Sequence, residues 1–89
     1  MFEFDFSDSL KKKVEKIAKK SPQLTKIINK KVKQIINNNL ETIDRYKNLR
    51  HDLKDQKRVQ IGHFVLTFKI YKNENFILFL DYDHHDNIY

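Results

Sequence analysis

Apolar and polar residues alternate along some stretches of this chain and recur at helical spacing along others. Phe64, Leu66, Phe68 and Ile70 alternate with Val65, Thr67, Lys69 and Tyr71, which predicts a strand over 64–71 with one buried face. Phe76 to Leu80 is apolar at every position, the pattern of a strand covered on both sides and hence central in its sheet. Phe2, Phe4 and Phe6 alternate with Glu3 and Asp5, predicting a first strand with its aromatic face inward. Val59 and Ile61 predict a strand over 57–61, with Lys57 at the strand's edge and Arg58 and Gln60 on the other face. Gly62-His63 suits a two-residue type II′ hairpin with glycine first, which would set Ile61 opposite Phe64 and Gln60 opposite Val65.

Two stretches carry the helical period. Leu10, Val14, Ile17 and Ala18 form one apolar stripe behind a Ser7 or Asp8 cap, with lysines on the remaining surface. Ser21-Pro22 marks a stop and a restart, with Ser21 as cap and Pro22 at the first helical position. Leu24, Ile27, Ile28, Val32, Ile35 and Ile36 then continue the stripe to about Asn37. Leu40, Ile43, Tyr46 and Leu49 are spaced for one more helical turn or a packed loop, and nothing regular is predicted between Tyr46 and Lys57. The order strand, helix, helix, then three strands gives a single two-layer α+β domain over 1–89, with the N-terminal strand and helical pair packed on an antiparallel sheet. The sheet's other face, carrying Arg58, Gln60, Val65, Thr67 and Lys69 and bordered by the tail from His84 to Tyr89, is expected to stay uncovered.

Size and charge narrow the functional classes. At 89 residues the core is only just adequate for one domain, so a groove or open face is expected rather than a deep pocket. The chain has no cysteine, which excludes disulfides and thiolate metal sites. Its longest apolar run is five residues and its start is acidic, so neither a membrane span nor a signal peptide is expected and a cytoplasmic location is. Residues 1–39 hold ten lysines against four acids, whereas residues 40–89 hold eight basic against eight acidic side chains, so the whole net charge of +6 belongs to the first half. Such a face favours a polyanion through counterion release, and a solvated lysine-rich helix surface is the plain competing account.

Titratable side chains crowd together only in Asp81-Tyr82-Asp83-His84-His85-Asp86. These could solvate a tail or bind a divalent ion, but adjacent positions on an extended segment point opposite ways, so few could converge and no metal is expected.

Arg58-Val59-Gln60-Ile61-Gly62-His63-Phe64-Val65-Leu66 and the ending His84-His85-Asp86-Asn87-Ile88-Tyr89, in this element order, resemble the RelE/ParE superfamily of toxin–antitoxin toxins. Within it they are most similar to the RelE and YafQ type of ribosome-dependent mRNA endonuclease, and the resemblance covers nearly the whole chain. It implies His85 as general acid, Tyr89 as an aromatic that stacks on or orients the substrate nucleotide, and Arg58 and Gln60 on strand positions facing the RNA. Val65 and Asp83 stand where the resemblance implies basic residues.

Cleavage of RNA by its own 2′-hydroxyl needs a base, a cation on the phosphate and an acid at the 5′-oxygen. Imidazole suits the acid because it titrates near neutrality. Arg58, helped by Lys57 or Lys69, would grip the phosphate. His84, His51 and Asp86 stay open as the base, and Lys57, Gln60, Lys69 and His51 complete the substrate-binding set. No cofactor is expected. The partners implied are a small RelB-like antitoxin, the ribosome and mRNA. A non-enzymatic superfamily member acting by binding, such as a topoisomerase inhibitor, is the alternative, and a plain RNA-binding module rests on charge alone.

Overall fold

The computed structural model describes residues 1–88. Its elements are β1 (Glu3–Phe6), α1 (Asp8–Lys20), α2 (Pro22–Ile36), β2 (Lys47–Asn48), β3 (Gln56–Ile61), β4 (Phe64–Tyr71), β5 (Phe76–His84) and α3 (His85–Ile88), with short 3₁₀ turns at Thr42–Arg45 and Lys72–Glu74. One five-stranded sheet has the order β1-β5-β4-β3-β2. It is antiparallel throughout except at β1, which joins β5 in parallel at the sheet's edge. The two-layer α+β arrangement is the expected one, and β2 is an addition to it.

The helix boundaries follow from capping. Ser7 Oγ accepts from the N–H of Leu10 at 3.1 Å and donates to the carbonyl of Leu80 at 2.6 Å, so one hydroxyl both caps α1 and ties it to β5. Ser21 closes α1 with its N–H on Ile17 O and opens α2 with its hydroxyl accepting from Leu24 N, while Pro22 fills the first-turn position that lacks a hydrogen-bond partner anyway. At the first hairpin Gly62 has φ +63°, and His63 is not left-handed, which is the type II′ combination; the pairs Ile61–Phe64 and Gln60–Val65 form as expected. Asn75, in the left-handed region at φ 51°, closes the second hairpin and sets Tyr71 opposite Phe76.

Leu10, Ile28, Val32, Ile35 and Ile36 from the helices pack with Leu66, Phe68, Ile70, Ile77, Phe79 and Tyr82 from the sheet. Phe68 and Phe79 are fully buried and their rings lie 5.7 Å apart, while Phe4 and Phe6 reach Phe79 edge-on from β1. Of the three N-terminal phenylalanines Phe2 is buried, Phe6 is half-buried and Phe4 is 44% exposed, because β1 is an edge strand. The full apolar run of β5 reflects one sealed face, Ile77 and Phe79, and one half-buried face.

A register jump between Phe68–Phe79 and Thr67–Asp81 leaves Leu80 without a partner on β4. Uninterrupted pairing would put Asp81 opposite Leu66 on the helix side. The extra residue puts Tyr82 there instead and sends Asp81 to the side of Thr67. Lys13 of α1 then bonds Asp81 at 2.7 Å and lies 3.5 Å from Asp83, fixing the helix layer to the strand just past the bulge.

Two expectations need correction. The second sheet face is not open along its length: Val65 and Thr67 are 2% and 3% exposed, and α3 packs against β4 and β5. Lys57 is not at an exposed edge: it shares the parity of Val59 and Ile61, β2 pairs alongside β3, and Lys57 is 4% exposed with Nζ donating to Asn48 Oδ1 at 2.6 Å. Among the described residues no helix is long and apolar enough to cross a membrane.

Truncating Phe79 to alanine empties the contact between β1, β4 and β5 and is expected to cost about 3–5 kcal/mol in urea unfolding, against about 1 kcal/mol or less for Phe4→Ala. Equal losses would contradict the assignment of the core. The Lys13 ammonium is held above its ordinary value chiefly by the hydrogen bond to Asp81. Its stabilisation is therefore complete below the usual lysine range and is lost as pH rises through the raised value. Lys13→Met should cost about 0.5 kcal/mol at neutral pH, the size of a half-exposed ion pair, and the gap between variant and wild type should close in alkali. A gap that ignores pH would assign the effect to packing of the lysine stem.

Candidate functional site

A cleft of about 330 Å³ opens where β3 meets the start of α3, lined by Arg45, Tyr46, Lys47, Arg58, Val59, Gln60, Val65 and His85. Each side chain is there for a local reason. Arg58 sits between Lys47 on β2 and Thr67 on β4, and its Nε donates to Asn48 O at 3.0 Å, which fixes the guanidinium at the β2 side. Gln60 stands opposite Val65, and its Nε2 donates to Gly62 O at 2.9 Å. His85 donates its N–H to His63 O at 3.2 Å, so the first residue of α3 is anchored on the β3–β4 hairpin. Three cations and no carboxylate line this cleft among the described residues, a charge pattern that concentrates an anion at its floor.

The turn that presents His85 is held by Asp83. Its Oδ1 accepts from His84 N at 2.7 Å and from Asn87 Nδ2 at 3.1 Å. The Asn87 amide first, and then the His84 N–H, hold this carboxyl below the ordinary carboxylate range. Asp83 thus ties the end of β5 to the Asn87 side chain of α3 and is an ion-pair partner of Lys13. His85 Nδ1 lies 3.0 Å from Asp86 Oδ1, and His84 Nδ1 lies 3.5 Å from Asp86 Oδ2. The His84 ring meets Phe64 edge-on at 5.6 Å, and Phe64 stacks on Tyr82, whose hydroxyl pKa is pushed up by burial. Because β5 gives way to α3 at His85, the segment is not extended there. Ligand atoms of His84, His85 and Asp86 come within 4.8 Å of one another, which removes the geometric ground for expecting them to diverge.

The structure brings Arg58, Gln60 and His85 together and leaves other sequence candidates elsewhere. Lys57 points to the opposite face and, with Lys54 and Lys72, lines a larger cleft of about 630 Å³ that also carries Asp44, Asp55 and Glu74. That mixture has no preference for an anion, so the greater volume does not make it the better phosphate site. Lys69 lies over the Tyr71 ring at 5.0 Å and 4.0 Å from Asp55, away from Arg58. His51 is exposed in the turn before β3, and His84 packs on Phe64 outside the cleft. Tyr89 lies outside the described residues. Arg45, Tyr46 and Lys47 line the cleft as well and are not among the expected site residues. Their basic-aromatic-basic order was the available signal, and the two-residue strand that carries Lys47 to the side of Arg58 was too short to see.

No protein-family model matches the chain. Among curated proteins, a protein named "Putative toxin RelE4" from Methanocaldococcus jannaschii is 43% identical over 90 aligned positions, covering 100% of this chain and 92% of the relative. An uncharacterized protein of Methanosarcina mazei is 41% identical with both chains covered in full. Among solved structures, the isolated Escherichia coli RelE toxin superposes with a TM-score of 0.76 at 12% identity, covering 94% of this chain and 84% of that one. The solution structure of the conserved hypothetical protein HP0892 from Helicobacter pylori gives 0.58 at 21% identity with both chains covered in full. The distant structures establish the fold and the archaeal relative establishes the kinship: the chain belongs to the RelE superfamily of toxins.

Proposed function

We propose that the protein is the toxin of a toxin–antitoxin pair and cleaves mRNA held on the ribosome. The observation that carries this reading is the meeting of Arg58 and His85 on one cleft that is basic among its described residues. In the proposed reaction the 2′-oxygen attacks the adjacent phosphorus, a 2′,3′-cyclic phosphate forms, and the bond to the 5′-oxygen breaks. Arg58, with Lys47 and Arg45 nearby, offsets the charge that builds on the phosphoryl oxygens. His85 gives its proton to the departing 5′-oxygen, and Asp86 beside Nδ1 orients the ring for that transfer. Tyr46, whose ring is held against Phe68 and whose hydroxyl accepts from Asn38, lines the cleft beside the cations as the aromatic nearest to an incoming base. His85 is the one imidazole among the described lining residues, which is why it takes the acid's part here. A shallow site of this kind suffices when the ribosome fixes the RNA. A small RelB-like antitoxin that shields the cleft and the basic helices would be the neutralising partner, and the protein would act in the cytoplasm.

A second reading is favoured by one position. Val65 forms part of the cleft as a buried aliphatic side chain where the family resemblance leads one to expect a cation. A member that stops growth by binding alone, for example to a topoisomerase, fits that loss.

Purified protein added to ribosomes translating a defined mRNA separates the two. Wild type should cut ribosome-bound mRNA, and His85→Ala should cut about 10²–10⁴-fold more slowly, the usual loss for a general acid. Undiminished cutting by His85→Ala would overturn the site, and growth arrest without cutting would favour the binding reading. Lys47→Ala should weaken binding to the programmed ribosome in low salt and reduce the slope of log affinity against log salt by about one. An unchanged slope would remove Lys47 from the RNA surface.

A further inference from the structure

The start of α3 carries a second chemistry. We infer that His84, His85 and Asp86 form a binding site for a single borderline transition-metal ion, of the zinc class, and that occupancy withdraws His85 from the cleft. The regulatory half of this inference rests on the endonuclease reading; the metal site itself does not.

The geometry is set by the backbone. An extended tail would throw adjacent side chains to opposite sides, but the strand ends at His84 and a helical turn begins at His85. One ligand atom from each of the three residues therefore lies within 4.8 Å of the other two. Both imidazoles already turn Nδ1 toward the same carboxylate, His85 at 3.0 Å and His84 at 3.5 Å. Zinc ligands at about 2.0–2.1 Å from the ion in tetrahedral directions stand roughly 3.4 Å apart, so these two separations are near what a shared ion needs, and side-chain rotation has to draw the set, now within 4.8 Å, together around it. His84 Nδ1 also accepts from the N–H of Asp86 at 3.3 Å, which needs the same unprotonated lone pair that a metal would take. Binding replaces that bond.

The site is also braced. The His84 ring rests edge-on against Phe64, and Asp83 Oδ1 holds the His84 N–H and the Asn87 amide, so the turn is formed before any ion arrives. Two imidazoles and one carboxylate select a borderline ion over magnesium or calcium, which prefer oxygen ligands. Three protein ligands leave the remaining positions to water. Once Nδ1 of His85 is on the ion, its ring is a fixed neutral ligand. It cannot present the imidazolium that a 5′-oxygen leaving group requires.

Zinc titration of the whole protein by calorimetry, with cobalt absorption as a second signal, tests the site without any RNA. Wild type should bind one ion per chain. His84→Ala and Asp86→Ala should each weaken it by about tenfold or more, and His51→Ala should not. Circular dichroism of each variant shows that it is folded. Unchanged affinity in His84→Ala and Asp86→Ala, or no uptake by wild type, overturns the inference. If wild type cuts mRNA, saturating zinc should suppress cutting and a chelator should restore it. Binding with full activity retained overturns the regulatory half alone, and absence of cutting under every condition bears on the endonuclease reading and leaves the titration result standing.

Discussion

The extra residue at Leu80 is the constraint on which the geometry of this small protein turns. The sequence Phe79-Leu80-Asp81-Tyr82-Asp83-His84 cannot be paired without a break. Continuous register would drive two carboxylates into the helix-facing core and turn Tyr82 and the His84 side chain to the other face. One unmatched residue reverses that assignment. Phe79 stays inside, Tyr82 follows it, and Asp81 and Asp83 emerge where Lys13 can meet them. The Ser7 hydroxyl, bonded to the carbonyl of Leu80, fastens the first helix to the same point. The bulge thereby couples the helical layer, the end of β5 and the turn that carries His85.

The site inherits its precision from this arrangement. Arg58 is fixed by its place on β3, by the neighbouring two-residue strand and by a bond to Asn48 O. The His85 backbone is held by His63 O, and the turn around it by the bonds of Asp83 to His84 N and Asn87 Nδ2. Neither residue depends on a long loop for its placement, which is what a shallow cleft on an 89-residue domain needs if it is to orient a phosphate. His84, His85 and Asp86 lie on this same turn, so the proposed acid and the proposed metal ligands overlap at His85.

Much of this was readable from the chain, and the parts that were not share a cause. The Ser7, Ser21-Pro22 and Gly62-His63 signals each rest on local chemistry, and each produced the expected cap or turn. Period two placed β4, and the resemblance in Arg58 to Leu66 and His84 to Tyr89 pointed to the right superfamily. What escaped depends on contacts between distant segments. The strand Lys47–Asn48 exists because β3 offers it an edge, and its presence is what buries Lys57 and brings Lys47 to Arg58. Val65 and Thr67 were expected to face solvent because nothing in the residues after Asp83 signals a helical turn folding over them. The bulge is likewise invisible to a periodicity count, since both faces of Phe76 to Leu80 are apolar.

In the proposed reaction one RNA linkage lies between Arg58 and His85. A structure of the protein on a ribosome carrying mRNA blocked by a 2′-O-methyl group tests it most directly. The blocked phosphate should lie within hydrogen-bond reach of the Arg58 guanidinium, with the His85 imidazole at the 5′-oxygen. RNA bound instead along the lysines of α1 and α2, or in the cleft beside Lys54 and Lys72, would contradict it.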